Sequence, residues 1–115
     1  MKAKANFWIE KKGQVVLSSW RVQLLEAIAE TGSISAAAGK MNVSYRRAWE
    51  KIHESEERLG QKLVETQTGG TGGGGSQLTA AAQDYIHRFR EFTTGLRSAV
   101  DQRFEQFFLE ENQER

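Results

Sequence analysis

Residues Ser33–Leu59 read SISAAAGKMNVSYRRAWEKIHESEERL, and this stretch decides the fold. Two helical segments flank a tight turn. The first, Ser33 to Met41, is short and rich in alanine, with Ile34, Ala37, Ala38 and Met41 as its inward set. Small side chains let two helices cross steeply at close range. Ser33 is placed as the cap of this helix and Ser44 as the cap of the next. Between them Asn42 takes the turn position that needs a positive φ, which Asn tolerates better than most residues. Val43 follows as a core plug. In the second helix Tyr45, Ala48, Ile52, Ser55 and Leu59 recur at intervals of three and four and define the expected inner face, with Trp49 at its edge. Arg46, Arg47, Glu50, Lys51 and Glu54 fall outside. Gly60 ends the helix. Cations gather at its start, and Glu54, Glu56 and Glu57 follow. A helix so built meets phosphates with its first turns, where free N–H groups and the positive end of the dipole also lie.

Working upstream, Phe7–Lys11 and Val15–Leu17 flank Lys12-Gly13-Gln14. β-Favouring residues about a glycine turn predict a short hairpin or a lone edge strand. Phe7 and Ile9 would share one face, with Trp8 on the other. Ser18 or Ser19 caps a supporting helix in which Trp20, Leu24, Leu25, Ala27 and Ile28 point inward. Arg21 and Gln23 are expected on its exposed side, and Thr31-Gly32 stops it.

Downstream, Lys62–Gln67 alternates as a strand. Thr68–Ser76 reads TGGTGGGGS, with six glycines in nine residues, and Gln77-Leu78 is the return strand. A β-hairpin wing is predicted, with a tip whose backbone approaches another surface closely. A phosphate-binding loop would need Lys before the Ser/Thr, whereas Gly75 precedes Ser76. Thr79 caps the last helix. Its Tyr85, Phe89, Phe92, Leu96, Val100, Phe104 and Phe107 form one apolar stripe, widened by Ile86 and Phe108. From Thr79 to about Leu109 that helix is ~46 Å long, too long to bury against a small domain, so a partner helix from a second copy is expected. Gly95 is its expected weak point.

At 115 residues, 27% charged and 38% hydrophobic, the chain has the balance of one globular domain. Without Cys it has no disulfide framework and no thiolate metal site. No apolar run approaches the ~18 residues of a membrane span, and the first residues lack a signal-peptide core, so a cytoplasmic location is expected. The net charge is only +1. Residues 1–100 nevertheless carry 14 Lys/Arg against 10 Asp/Glu, and residues 101–115 carry 2 against 5, so an acidic tail offsets a mildly basic body. His53 and His87 have no ligand spacing around them and are expected at the surface. No metal site, cofactor or nucleophile–base pair is legible, and an enzyme is not expected.

The order helix, helix-turn-helix, wing, long helix defines the fold class. It is mainly α: a winged helix-turn-helix with a small β-hairpin wing over residues 1–78, then a long dimerisation helix and acidic tail over 79–115. Three stretches also match a particular family. Gly32-Ser33-Ile34-Ser35, Ser44-Tyr45 with Ala48-Trp49, and Thr68-Gly69-Gly70-Thr71-Gly72-Gly73-Gly74-Gly75 leading into Leu78-Thr79 resemble the N-terminal DNA-binding domain of molybdate-responsive regulators of the ModE type, which is similar to that of LysR-type regulators.

That resemblance implies DNA binding, and together with pairing of the long helices it gives the expectation of a transcriptional regulator, a repressor in its simplest form, acting as a homodimer on palindromic double-stranded DNA. Candidate DNA contacts are Ser33, Ser35, Ser44, Tyr45, Arg46, Arg47, Glu50 and Lys51, with Thr68, Gly70 and Thr71 of the wing. For Tyr45 a core position is the alternative. The candidate dimer seam is Tyr85, Phe89, Phe92, Leu96, Val100, Phe104 and Phe107. Family members that sense molybdate carry further C-terminal oxyanion-binding domains, so molybdate sensing is not expected of this chain. The other reading is an interaction protein whose Phe-rich helix pairs with a full-length relative, or whose dimer seam binds an oxyanion or small molecule.

Overall fold

Three serines start three helices in one way. Ser18, Ser33 and Ser44 hold extended backbone, and each Oγ accepts the N–H three residues on: Arg21 at 3.2 Å, Ala36 at 3.0 Å and Arg47 at 3.1 Å. Each bond satisfies a helix N–H that has no partner within the helix. They begin α1 (Ser19–Thr31), α2 (Ile34–Lys40) and α3 (Tyr45–Leu59) in this computed structural model, which describes residues 1–67 and 75–112, the last three by backbone alone. The hairpin β1 (Trp8–Lys11) and β2 (Gln14–Ser18) precedes them. β3 (Val64–Gln67), β4 (Gly75–Leu78) and α4 (Ala80–Asn112) follow.

Among the described residues the strands form two separate antiparallel pairs. Lys12 and Gly13 turn the first with φ of 53° and 76°, the double positive φ of a two-residue hairpin. Its register shifts between Ile9 and Glu10. In the second pair Val64 faces Leu78 and Gln67 faces Gly75. This hairpin is displaced from its expected bounds. β3 starts at Val64, opposite Leu78, and the Lys62 carbonyl ahead of it accepts the Thr79 hydroxyl at 2.7 Å. β4 starts at Gly75, which pairs with Gln67, and the Ser76 N–H donates to the Gly32 carbonyl at 2.8 Å, tying the strand to the α1–α2 turn. A Cβ on Gly75 would lie 3.1 Å from that carbonyl oxygen, so the approach favours glycine. Gly32 itself ends α1 in the left-handed region, with φ 86°.

Among the described residues two clusters make the core. The larger joins Leu24, Leu25 and Ile28 of α1, Ile34, Ala37 and Ala38 of α2, and Ala48 and Ile52 of α3 to Leu63 and Val64. The second is Val16, Leu17, Val22 and Phe89, which seats the β1–β2 hairpin against the start of α4. Burying each of these large side chains contributes ~1.5–3 kcal/mol.

Five expectations are corrected. Arg21 is not on an exposed side of α1: its side chain is 12% exposed, because α1 is covered by α3 as well as by α2 and α4. Val22, absent from the inward set, is fully buried for the same reason. Phe89, assigned to the dimer seam, is 1% exposed and belongs to the second cluster, so it has no surface left for a partner. Tyr85 of that seam is likewise half-buried against both clusters, since the first turns of α4 pack on the domain. Gly95 does not break α4; the non-helical residue is Phe108, with φ −130° and ψ 31°. An interior glycine costs a helix only ~1 kcal/mol, which an otherwise regular ladder tolerates.

Candidate nucleic-acid interface

Ala37, Ala38 and Ala48 are all buried where α2 crosses α3. The turn closes through Asn42 N–H to Gly39 O at 3.1 Å and Val43 N–H to Ala38 O at 3.0 Å, with Asn42 at φ 60° as its position in the sequence requires. α3 therefore leaves the turn with its first residues projecting. Ser44, Tyr45, Arg46 and Arg47 are all exposed. The Ser44 Oγ accepts within the cap, which leaves its hydroxyl proton for an outside acceptor. Ser33 has the same arrangement on α2, where Ser35 is exposed.

Arg46 has a side chain 88% exposed, and its Nε lies 3.1 Å from Glu50 Oε1. An exposed pair of this kind is worth a few tenths of a kcal/mol, about 0.3–0.5, and is readily exchanged for a phosphate. The Arg47 guanidinium lies 5.8 Å from the Trp20 ring centroid. Tyr45 is 53% exposed, which corrects the inner-face expectation. The buried residues of α3 begin only at Ala48, so the tyrosine stands one turn beyond the core. Trp49, one turn on, is 43% exposed and stacks on His53 with centroids 3.8 Å apart and planes at 19°. The His53 Nδ1 lies 2.9 Å from the Trp49 carbonyl oxygen.

Lys51 stands apart from this group. It is half-buried on the flank facing α1, with Nζ 3.5 Å from Glu54. The structure thus brings Ser44, Tyr45, Arg46, Arg47 and Glu50 together and sets Lys51 on the adjoining flank. Thr68, Gly70 and Thr71 lie outside the described residues.

The acidic half of α3 has structural work that periodicity does not reveal. Arg21 donates from Nη1 to Ser55 Oγ at 2.8 Å and to the Lys51 carbonyl at 3.0 Å, and from Nη2 to Glu54 Oε1 at 2.7 Å. That hydrogen bond from Arg21 outweighs the opposing effect of burial. With the charges of Lys51, Arg21 and Arg58, it holds the Glu54 carboxyl below its ordinary 4.5. Arg58 in turn donates to the Val15 carbonyl at 2.9 Å, joining α3 to the hairpin. Glu56 Oε2 accepts the Leu63 and Val64 N–H groups at 2.8 and 3.1 Å and so fixes the base of the wing. Only Ser55, a polar residue within the inner arc, signalled this network in the sequence. Among the described residues no group of His and acidic side chains is arranged to hold a metal ion.

Residues 20–83 match the family described as bacterial regulatory helix-turn-helix protein, lysR family. The chain belongs to this family. Its lysR-family domain runs from the start of α1 to the first turn of α4, with the β1–β2 hairpin ahead of it. The chain is 46% identical over 68 residues to the Molybdenum transport protein ModE of Herbaspirillum seropedicae, covering 59% of this chain and 25% of that protein. It is 36% identical over 89 residues to the DNA-binding transcriptional dual regulator ModE of Escherichia coli (strain K12), covering 77% and 34%. It therefore spans about a quarter to a third of the length of these curated relatives. Among solved structures, the CbnR_DBD–DNA complex is similar at a TM-score of 0.54 and 26% identity, covering 71% of this chain and 88% of that one. The lysR family and the ModE relatives are regulators rather than enzymes, and both agree with the resemblance read from the motifs.

Proposed function

We propose that this lysR-family chain is a dimeric, sequence-specific reader of double-stranded DNA that regulates transcription from the cytoplasm. The observation that carries the reading is the projecting start of α3, where two exposed arginines flank a capped helix N-terminus. Ser44 to Lys51 would enter a major groove. There Arg presents two donors to the O6 and N7 of guanine, and Lys or Arg neutralises phosphate. Thr68, Gly70 and Thr71 of the wing would brace the neighbouring backbone, and Ser33 and Ser35 would meet a phosphate at the start of α2.

The exposed part of the α4 stripe supports dimerisation: Phe92 is 49% and Phe107 63% exposed. Paired α4 helices would set two α3 helices about 34 Å apart or a small multiple of it, which implies a palindromic operator. Repression by occupying a promoter is the simplest output.

The test is duplex binding at two salt concentrations by the wild type and by Arg46→Ala/Arg47→Ala. The expected result is tight binding to selected sequences that weakens with salt, with a shallower salt slope in the variant. Salt-independent binding, or none to any duplex, refutes the reading. A chain that binds DNA only when mixed with a full-length relative would favour heterodimerisation instead.

A further inference from the structure

Trp49 is a large apolar side chain left 43% exposed on α3, one turn beyond Tyr45 and beside the arginines of the helix start. It does not turn into the core, where Ala48 and Ile52 already fill the inner arc. One face of its indole is covered by His53, at 3.8 Å between centroids. The ring is thereby held in one orientation before any partner arrives, which lowers the entropy cost of using it. With that face occupied, the free edge and opposite face form the contact surface. Glu56, two turns further along the same flank of α3, accepts the Leu63 and Val64 N–H groups at the base of the wing.

We infer that Trp49 is a specificity-determining residue that reads a thymine. The inference rests on the proposed DNA reading and deepens it. Its chemistry follows by elimination. The base edges in a major groove present hydrogen-bond donors, acceptors and a single apolar group, the C5-methyl of thymine. An indole carries an apolar ring and one N–H donor. Thymine offers the matching pair, the methyl beside the O4 acceptor. Guanine and adenine offer acceptors but nothing apolar to cover the ring, and cytosine offers a donor that the indole cannot accept. His53 acts as a positioning residue, through the stack and through its contact with the Trp49 carbonyl.

The test starts from duplexes that the wild type selects from a random-sequence pool. Each thymidine is then replaced in turn by deoxyuridine, which removes only the methyl. The expected result is one position per half-site where the replacement weakens wild-type binding about fourfold, the worth of one buried methyl-sized group. Trp49→Ala and Trp49→Gln lose that discrimination, and either variant suffices if the other fails to fold. His53→Ala reduces it. The salt slope stays at the wild-type value in all three, because no phosphate contact is removed.

A wild type that selects a sequence yet is indifferent to every deoxyuridine overturns the inference and leaves the proposed function standing. So does a Trp49 variant that keeps the discrimination. A wild type that selects no sequence at all fails the proposed function itself, and the thymine reading with it.

Discussion

Arg21 on α1 and Glu54 on α3 meet at 2.7 Å across 33 residues of sequence. The same guanidinium reaches Ser55 and the Lys51 carbonyl, so one side chain grips the middle of α3. The projecting first turn of α3 is then aimed by two constraints, the alanine crossing at its start and this clamp two turns further on. Replacing Arg21 by Ala leaves the buried Ser55 hydroxyl and a carbonyl without their donor. The expected cost is about 1–3 kcal/mol, seen as a lower urea midpoint at unchanged slope. Arg21→Lys should recover only part of it, because an ammonium cannot reproduce the planar fork.

The same contact makes stability depend on acid. The Glu54 carboxyl has its folded pKa below the ordinary 4.5. A depressed carboxylate contributes stability that is present above the unfolded value and lost as pH falls through the folded one. The wild type should therefore exceed Glu54→Gln in urea midpoint at neutral pH, and the gap should close as pH falls below about 4.5. A constant gap down to acid would show that Glu54 acts through packing rather than charge.

α4 should respond to substitution in two ways along its length. Phe89 is closed into the second core cluster, so Phe89→Ala should cost ~3–5 kcal/mol at any protein concentration. Phe92 and Phe107 are exposed. Phe92→Asp and Phe107→Asp should leave the fold intact and halve the mass in sedimentation equilibrium. An unchanged mass in both would refute the long-helix seam.

Glu56 predicts a link between α3 and the wing. With Glu56→Ala the Leu63 and Val64 amides lose their acceptor, and their hydrogen exchange should accelerate while that of the α3 amides does not. A stability loss of about 1–3 kcal/mol should accompany it. Glu56→Gln keeps an acceptor oxygen and should restore most of the protection. Equal exchange in all three proteins would show that the wing base is held by strand pairing alone.

Much of this molecule is written in short-range chemistry. Serine caps at 18, 33 and 44, the left-handed Gly32 and Asn42, and apolar spacings of three and four act within a few residues. They determined the helices and the turn between α2 and α3; the wing and the family resemblance also needed the glycine-rich stretch from Thr68, and only the pairing of β1 with β2 decided a hairpin over a lone edge strand. What they left open concerns side chains whose fate depends on distant neighbours. An apolar stripe on α4 reads the same whether its residues meet the domain or a partner, and only the seating of the β1–β2 hairpin put Phe89 inside and left Phe92 outside. Tyr45 fits the inner period of α3, but the core ends at Ala48. Arg21 and Glu56 look like solvated charges until their helices pack. Their partners lie 33 and 7 or 8 residues away, and a hydrogen bond across such gaps leaves no period in the sequence. Local propensity chose the elements; the limits of the packed core decided which side of each element faces the partner it serves.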